Sequence, residues 1–107
     1  MTKDNNQPKP LTAKQIRHLK SLAHHLKPVV QIGKEDISEN VMEATKQELL
    51  NHELIKVKIG NNSGVDKKEA ATMLSRTTGS SLVQLIGKTI ILYKENPKIK
   101  KDKRIRL

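Results

Sequence analysis

The sequence of 107 residues contains no cysteine, tryptophan or phenylalanine, and a single tyrosine, Tyr93. The absence of cysteine excludes disulfide bonds, thiol catalysis and cysteine-ligated zinc or iron–sulfur sites. No apolar run approaches the roughly 20 residues that a membrane-spanning helix needs. The first ten residues are polar and lack the apolar core of a secretory signal. We therefore expect a small cytoplasmic protein of one domain, without membrane contact.

Basic residues are what the sequence has in excess. Lys and Arg number 21 and Asp and Glu number 11, so the net charge is +10. The excess is concentrated in residues 13–27 and 94–107, whereas residues 34–53 hold more than half of the acids. Residues 13–27 contain no acid and the following cations: Lys14, Arg17, Lys20 and Lys27. Such a protein attracts a polyanionic partner, and its binding face should exclude the acidic segment.

A first helix is predicted from its capping residues and its apolar stripe. Thr12 is an N-cap and Gln15 completes a capping box, while Pro28 stops the helix. One face collects the apolar residues at helical spacing: Ile16, Leu19, Leu22, Ala23 and Leu26. The opposite arc is mostly basic: Lys14, Arg17, His18, Lys20, His24 and His25.

A short apolar strand over residues 29–32 precedes Gly33. A second helix then begins near Asp36 or Ser38, either of which can serve as its N-cap, and runs to about His52. The buried stripe of this helix is predicted to be Val41, Ala44, Thr45 and Leu49.

The second half of the chain alternates between strand and helix signals. Residues 54–59 read as a half-buried strand, with Lys56 and Lys58 on its outward face. The elements that follow are a glycine-rich turn over 60–64, a third helix that runs to Thr78, and a hairpin with strands over 81–86 and 89–93.

The order α-β-α-β-α-β-β predicts an α/β domain, an α+β sandwich with a four-stranded mixed sheet and three helices. Strands joined through a helix should be parallel, which brings the carboxyl ends of the first three strands to one ligand-binding edge. The N-terminal half of the first helix should then approach the Gly33 loop. We expect a domain over residues 11–94, a disordered lead-in over 1–10 and a flexible basic tail over 95–107.

Four stretches carry a resemblance to a known family: Leu11–Ile32 (LTAKQIRHLKSLAHHLKPVVQI), Gly33-Lys34, His52–Lys58 (HELIKVK) and Val83–Lys88 (VQLIGK). They resemble the YhbY-like proteins, small bacterial RNA-binding proteins built from one CRM (chloroplast RNA splicing and ribosome maturation) domain. The resemblance covers about residues 11–94. It implies a fold like the C-terminal domain of a bacterial translation initiation factor, and association with precursors of the large ribosomal subunit.

The signature of that family is a GxxG loop between the first strand and the second helix, where an RNA backbone can approach glycine closely. Here the loop reads Gly33-Lys34-Glu35-Asp36, so Asp36 stands in place of the second glycine. We expect Asp36 to cap the second helix instead, with Lys34 supplying the attraction for phosphate. The loop should then contact RNA more weakly, and the first helix should contribute more.

Charge and resemblance together select the candidate RNA-binding residues. They are Lys14, Arg17, His18, Lys20, His24, Lys27, Gly33, Lys34, Glu35, Asp36, Lys56, Lys58 and Lys88. The alternative for each cation is an ordinary solvated surface. The basic tail is open to two interpretations, a solubilising end or a nonspecific RNA contact.

No constellation for catalysis or metal binding is predicted. His18 and His25 lie near one face, but they lack further ligands and have cationic neighbours. Gly-Lys-Thr at 87–89 is similar to the end of a phosphate-binding loop without its upstream glycine. We therefore predict a non-enzymatic protein, a monomer, with no cofactor and no small-molecule substrate. Tyr93 ends a strand and should lie in the core, which argues against recognition by base stacking.

The leading hypothesis is a non-catalytic RNA-binding protein that associates with precursor large-subunit ribosomal RNA and assists ribosome assembly. One alternative is a general RNA chaperone or a splicing-type RNA binder. Another is a protein-interaction module that contacts a ribosomal protein or an assembly factor through the acidic second helix, with Glu39, Glu43, Glu48 and Glu53.

Overall fold

The computed structural model describes residues 10–107, and its elements follow the predicted order. The helices are α1 (Ala13–Ala23), α2 (Glu39–His52) and α3 (Lys67–Thr78). The strands are β1 (Val30–Ile32), β2 (Leu54–Ile59), β3 (Ser81–Ile86) and β4 (Thr89–Tyr93), and a 3-10 turn follows at Lys101–Lys103. All but the last residue of the predicted lead-in falls outside the described residues. Within them, no helix combines the length and the apolar character needed to cross a bilayer.

The four strands form one mixed sheet in the order β1-β2-β4-β3. β2 pairs parallel with β1 and antiparallel with β4, and β4 pairs antiparallel with β3. β1, β2 and β3 therefore run in the same direction, and the predicted fold class is confirmed. Their carboxyl ends meet at one edge of the sheet, which we call the carboxyl edge. The residues that directly follow these strands there are Gly33, Gly60 and Gly87.

Different helices cover the two faces of the sheet. α2 and α3 pack on the face that carries Ile55, Val57 and Ile59, whereas α1 packs on the opposite face, where Leu54 and Tyr93 are buried. The period of two in β2 explains this division, because successive side chains point to opposite faces of a sheet. The acidic helix α2 is thus separated from the basic helix α1 by the sheet itself.

The N-terminus of α1 is built as predicted. The Thr12 hydroxyl accepts a hydrogen bond from the Gln15 amide at 3.1 Å, and the Gln15 side chain accepts one from the Thr12 amide at 3.0 Å. The helix ends at Ala23, earlier than the predicted stop at Pro28, because the Leu26 amide turns back to the Ala23 carbonyl. In α2, Thr45 and Leu49 are buried as predicted, but Ala44 is exposed.

Part of the C-terminal tail is tied to the domain through Glu53. This residue lies at a positive φ of 65° and is buried. Its carboxylate accepts hydrogen bonds from the amides of Asn96 at 2.8 Å and Ile105 at 2.9 Å. Ile105 packs against the core under α1. The flexibility of the tail stays a prediction, but these contacts attach it to the domain at two points.

Candidate nucleic-acid interface

The outward arc of α1 is an exposed cationic surface. Lys14, Arg17 and Lys20 are exposed, as are His18 and His24, and α1 carries no acidic residue. Lys27 is exposed just beyond the end of the helix. The ion pairs among the described residues both lie within α2, so they leave these cations unneutralised: Lys46–Glu43 and His52–Glu48.

The packing of α1 bears on the predicted approach of its N-terminal half to the Gly33 loop. α1 packs against β2 and β3, and β3 and β1 form opposite edges of the sheet. The contacts of α1 therefore extend across the sheet from β2 to β3, and α1 does not pack along β1. They give no support to a close approach between the N-terminal half of α1 and the Gly33 loop, and that approach stays a prediction.

The two lysines of β2 have different environments. Lys56 is half-buried, and its ammonium group donates a hydrogen bond of 3.0 Å to the Leu26 carbonyl. This bond holds the segment that follows α1 against the sheet. Lys58 is exposed, and its strand neighbours are Gln31 in β1 and Thr89 in β4. Of the two predicted contact residues, Lys58 is therefore the one whose charge is available to a ligand.

The Gly33 loop keeps a tight turn despite its changed sequence. The Asp36 amide donates to the Gly33 carbonyl at 2.9 Å, and Asp36 takes a φ of 55°. Glycine adopts this left-handed conformation freely, and Asp and Asn tolerate it better than other residues. Asp36 therefore adopts a backbone conformation that glycine would take without strain.

The side chain of Asp36 has a different role from the predicted one. Its Oδ1 atom accepts hydrogen bonds from the Ser63 hydroxyl at 2.6 Å and from the Gly64 amide at 3.1 Å. Ser38 caps α2, since its hydroxyl accepts from the Val41 amide at 3.2 Å. The expectation that Asp36 caps α2 is therefore wrong. Asp36 instead joins the loop after β1 to the loop after β2.

This arrangement leaves the approach to Gly33 open. Among the described residues, no heavy atom beyond the chain neighbours lies within 4 Å of where a Gly33 Cβ would be. The Asp36 carboxylate, turned towards Ser63, does not cover that position. Lys34 is exposed beside the opening, but so is Glu35, whose charge would repel a phosphate.

Backbone hydrogen bonds bring the three loops of the carboxyl edge together. The Gly60 amide donates to the Ile32 carbonyl and the Ile59 amide donates to the Lys88 carbonyl, both at 2.8 Å. The side chain of Lys88 is exposed in the hairpin turn. Sequence reasoning placed these glycine loops at one edge, but it left residues 61–64 out of the candidate site.

The alternative docking surface on α2 is smaller than predicted. Glu53 is buried and holds the tail, so it is not available to a protein partner. The Oε1 atom of Glu48 lies 3.3 Å from Nε2 of His52, so this carboxylate already has a neighbour within α2. Only Glu39 and Glu43 of the predicted set are exposed.

No metal centre is assembled among residues 10–107, where no cluster of His, Asp and Glu is placed to hold an ion. The rings of His24 and His25 pack edge to face with their centroids 5.2 Å apart. Tyr93 is buried as predicted, with 6 % of its surface exposed. Burial, together with the nearby carboxylates of Glu53 and Glu95, raises the pKa of Tyr93 to about 12.

These features define a class: a small α+β domain whose mixed sheet carries one basic helix on one face and two helices on the other. The family model of the CRS1/YhbY (CRM) domain matches residues 11–94, and the chain belongs to this family. The resemblance that the sequence motifs indicate is thereby confirmed.

Known relatives agree with this assignment. The chain is 44 % identical over 97 residues to the Bacillus subtilis protein named "Probable RNA-binding protein YqeI", covering 91 % of this chain and 98 % of that protein. It is 38 % identical over 90 residues to a Haemophilus influenzae protein named "RNA-binding protein", covering 84 % and 91 %. The solution structure of SAV1595 from Staphylococcus aureus, described as a candidate RNA-binding protein, has a TM-score of 0.72 and 48 % identity, covering 86 % of this chain and 96 % of that one.

Proposed function

We propose that this protein binds RNA through the outward arc of α1 and the loops of the carboxyl edge. The observation that carries the proposal is the exposed, acid-free cationic arc of Lys14, Arg17 and Lys20, which the sheet separates from the acidic helix α2. Lysine and arginine bind RNA phosphates by displacing condensed counterions. The names of the relatives, "Probable RNA-binding protein YqeI" and "RNA-binding protein", support the same partner.

The finer proposal concerns which RNA is bound. We infer that the partner is the precursor of large-subunit ribosomal RNA, and that the protein assists assembly in the cytoplasm as a monomer. The support for this step is the resemblance to the YhbY-like proteins. Binding would act by neutralising phosphates and holding folded RNA in place, without chemistry on the RNA. The buried Tyr93 fits recognition by shape and backbone better than recognition by base stacking.

A charge-reversal experiment tests the proposal. The triple variant Lys14→Glu, Arg17→Glu, Lys20→Glu is compared with a control on the opposite side of the sheet: Lys67→Glu, Lys68→Glu, Arg76→Glu in α3. Both variants change two exposed lysines and one exposed arginine, so they have the same net charge. Tagged proteins are followed through sucrose gradients of cell extracts, and the crosslinked RNA in each fraction is sequenced.

The expected result is that the α1 variant no longer migrates with large-subunit precursors, whereas the α3 variant still does. Equal loss of co-migration in both variants would mean that binding depends on the net charge of the protein alone, and would contradict an interface on α1. Retention of both variants would move the contact surface away from α1. Enrichment of diverse RNAs without ribosomal precursors would favour the RNA-chaperone alternative.

A further inference from the structure

The sheet face under α1 remains open along the carboxyl edge. The strand register aligns one row of residues across all four strands there: Gln31, Lys58, Thr89 and Ile86. The first two and Ile86 are exposed, because the core under α1 is centred further down the sheet, at Leu54 and Tyr93. This row contains no acid and lies on the same face of the sheet as α1.

Two amide side chains meet at one end of this row. A Cβ atom at Gly60 would lie 3.0 Å from Asn62 Oδ1 and 3.1 Å from Gln31 Nε2. The side-chain amides of Gln31 and Asn62 therefore converge over Gly60, which has no side chain of its own. Both residues are exposed to solvent, and Lys58 pairs with Gln31 on the neighbouring strand.

The loop that carries Asn62 is held in place from outside. Asp36 accepts hydrogen bonds from Ser63 and Gly64, the two residues that follow Asn62. The Gly60 amide is bonded to the Ile32 carbonyl at 2.8 Å. Gln31 lies in β1 and Asn62 lies in this held loop, so the backbone beneath both amides is fixed before a ligand binds.

The chemistry of this cluster suits one part of RNA in particular. An amide side chain offers both hydrogen-bond donors and an acceptor, and a ribose 2′-hydroxyl also donates and accepts. A lysine beside the amides can neutralise the adjacent phosphate, which positions the strand without identifying it. We propose that Gln31 and Asn62, beside Lys58, form a ribose-hydroxyl subsite that distinguishes RNA from a backbone without the hydroxyl.

This proposal rests on the proposed RNA-binding function and goes beyond it. The cations of α1 explain attraction to any nucleic acid, since phosphates are common to RNA and DNA. The amide pair adds discrimination between RNA and DNA. It also extends the interface to two neutral residues, which an argument from charge alone would not identify.

The test compares two probes of identical sequence and charge: a stem–loop RNA with single-stranded flanks, and the same molecule with 2′-fluoro sugars. The 2′-fluoro probe keeps the A-form shape but cannot donate a hydrogen bond from the sugar. The double variant Gln31→Ala, Asn62→Ala is measured beside wild type over a range of salt concentrations. Its matched control carries the same changes of residue type at exposed positions of α2: Asn40→Ala, Gln47→Ala.

Wild type should bind the hydroxyl probe roughly tenfold more tightly than the fluoro probe, as expected for two hydrogen bonds. The double variant should lose this preference while its affinity for the fluoro probe and its salt dependence stay unchanged. The α2 control should behave as wild type. Thermal unfolding of each variant verifies that the fold is retained.

Three results would overturn the subsite: no preference in wild type, an unchanged preference in the double variant, or an equal loss of affinity for both probes. Failure of wild type to bind either probe, even at low salt, would instead overturn the proposed RNA-binding function. The two failures are therefore distinguishable.

Discussion

The Oδ1 atom of Asp36 accepts a hydrogen bond of 2.6 Å from the hydroxyl of Ser63, a residue in the next loop of the carboxyl edge. Glycine at position 36 could adopt the same φ but has no side chain to make this bond. The departure from the GxxG pattern therefore exchanges a freely turning residue for one that fixes two loops to each other.

The first prediction concerns the stability that Asp36 provides. Asp36→Gly keeps the positive φ and loses both side-chain hydrogen bonds, so the free energy of unfolding should fall by about 1 kcal/mol. Asp36→Ala loses the same bonds and, unlike glycine, keeps the strain of a Cβ in the left-handed region, so it should lose about 2 kcal/mol. Urea unfolding measures both changes. An alanine variant as stable as wild type would show that the bonds to Ser63 and Gly64 contribute nothing.

The second prediction concerns the salt dependence of RNA binding. If Lys14, Arg17 and Lys20 each contact a phosphate, each single change to alanine should reduce the slope of log affinity against log salt by roughly 0.7–0.9. Fluorescence anisotropy in a salt series gives the slope. Lys46→Ala is the control, because Lys46 lies 3.7 Å from Glu43 in α2, and its slope should match wild type. Unchanged slopes in the α1 variants would remove those residues from the interface.

The third prediction separates the two lysines of β2. Lys56→Ala should lower the free energy of unfolding by about 1 kcal/mol, because it removes the hydrogen bond to Leu26, and it should leave the salt slope unchanged. Lys58→Ala should leave stability unchanged and weaken RNA binding, because Lys58 is exposed. The reverse pattern in unfolding and binding measurements would contradict the assigned environments.

The fourth prediction uses the single tyrosine as a spectroscopic probe. The tyrosinate absorbance of the native protein should titrate with a pKa of about 12, compared with the ordinary value of 10.0 in denaturant. The folded state holds the Tyr93 proton more tightly than the unfolded state does. The contribution of this proton to the free energy of unfolding is therefore fully present below pH 10 and is lost as the pH rises from 10 to about 12. Tyr93→Phe should lack this component of the alkaline loss. A native titration at the ordinary value would show that the phenol is solvated.

Much of the fold could be predicted because its signals are local. The Thr12–Gln15 capping box defines one end of α1, and the alternation of β2 predicts which side chains enter the core. The end of α1 could not be predicted in this way, since it depends on contacts made after the helix, including the hydrogen bond from Lys56 to Leu26.

The candidate site was predicted less completely, because its geometry depends on contacts between distant residues. The exposed cations of α1 follow from helical spacing. Asp36 and Ser63 are 27 residues apart, and Glu53 and Ile105 are 52 apart, so no local pattern indicates either contact. Gln31 gains its significance only from the strand register, which brings it beside Lys58.

The position of β4 between β2 and β3 has a consequence for how the protein is made. β4 comes last in the sequence but is an interior strand of the sheet. Its residue Tyr93 pairs with Leu54 of β2, which lies far upstream in the sequence. On a translating ribosome the sheet stays split until residue 93 has left the exit tunnel, since β2 and β3 cannot be joined earlier. Closure of the sheet should therefore be a late event in folding, governed by contacts that are distant in sequence.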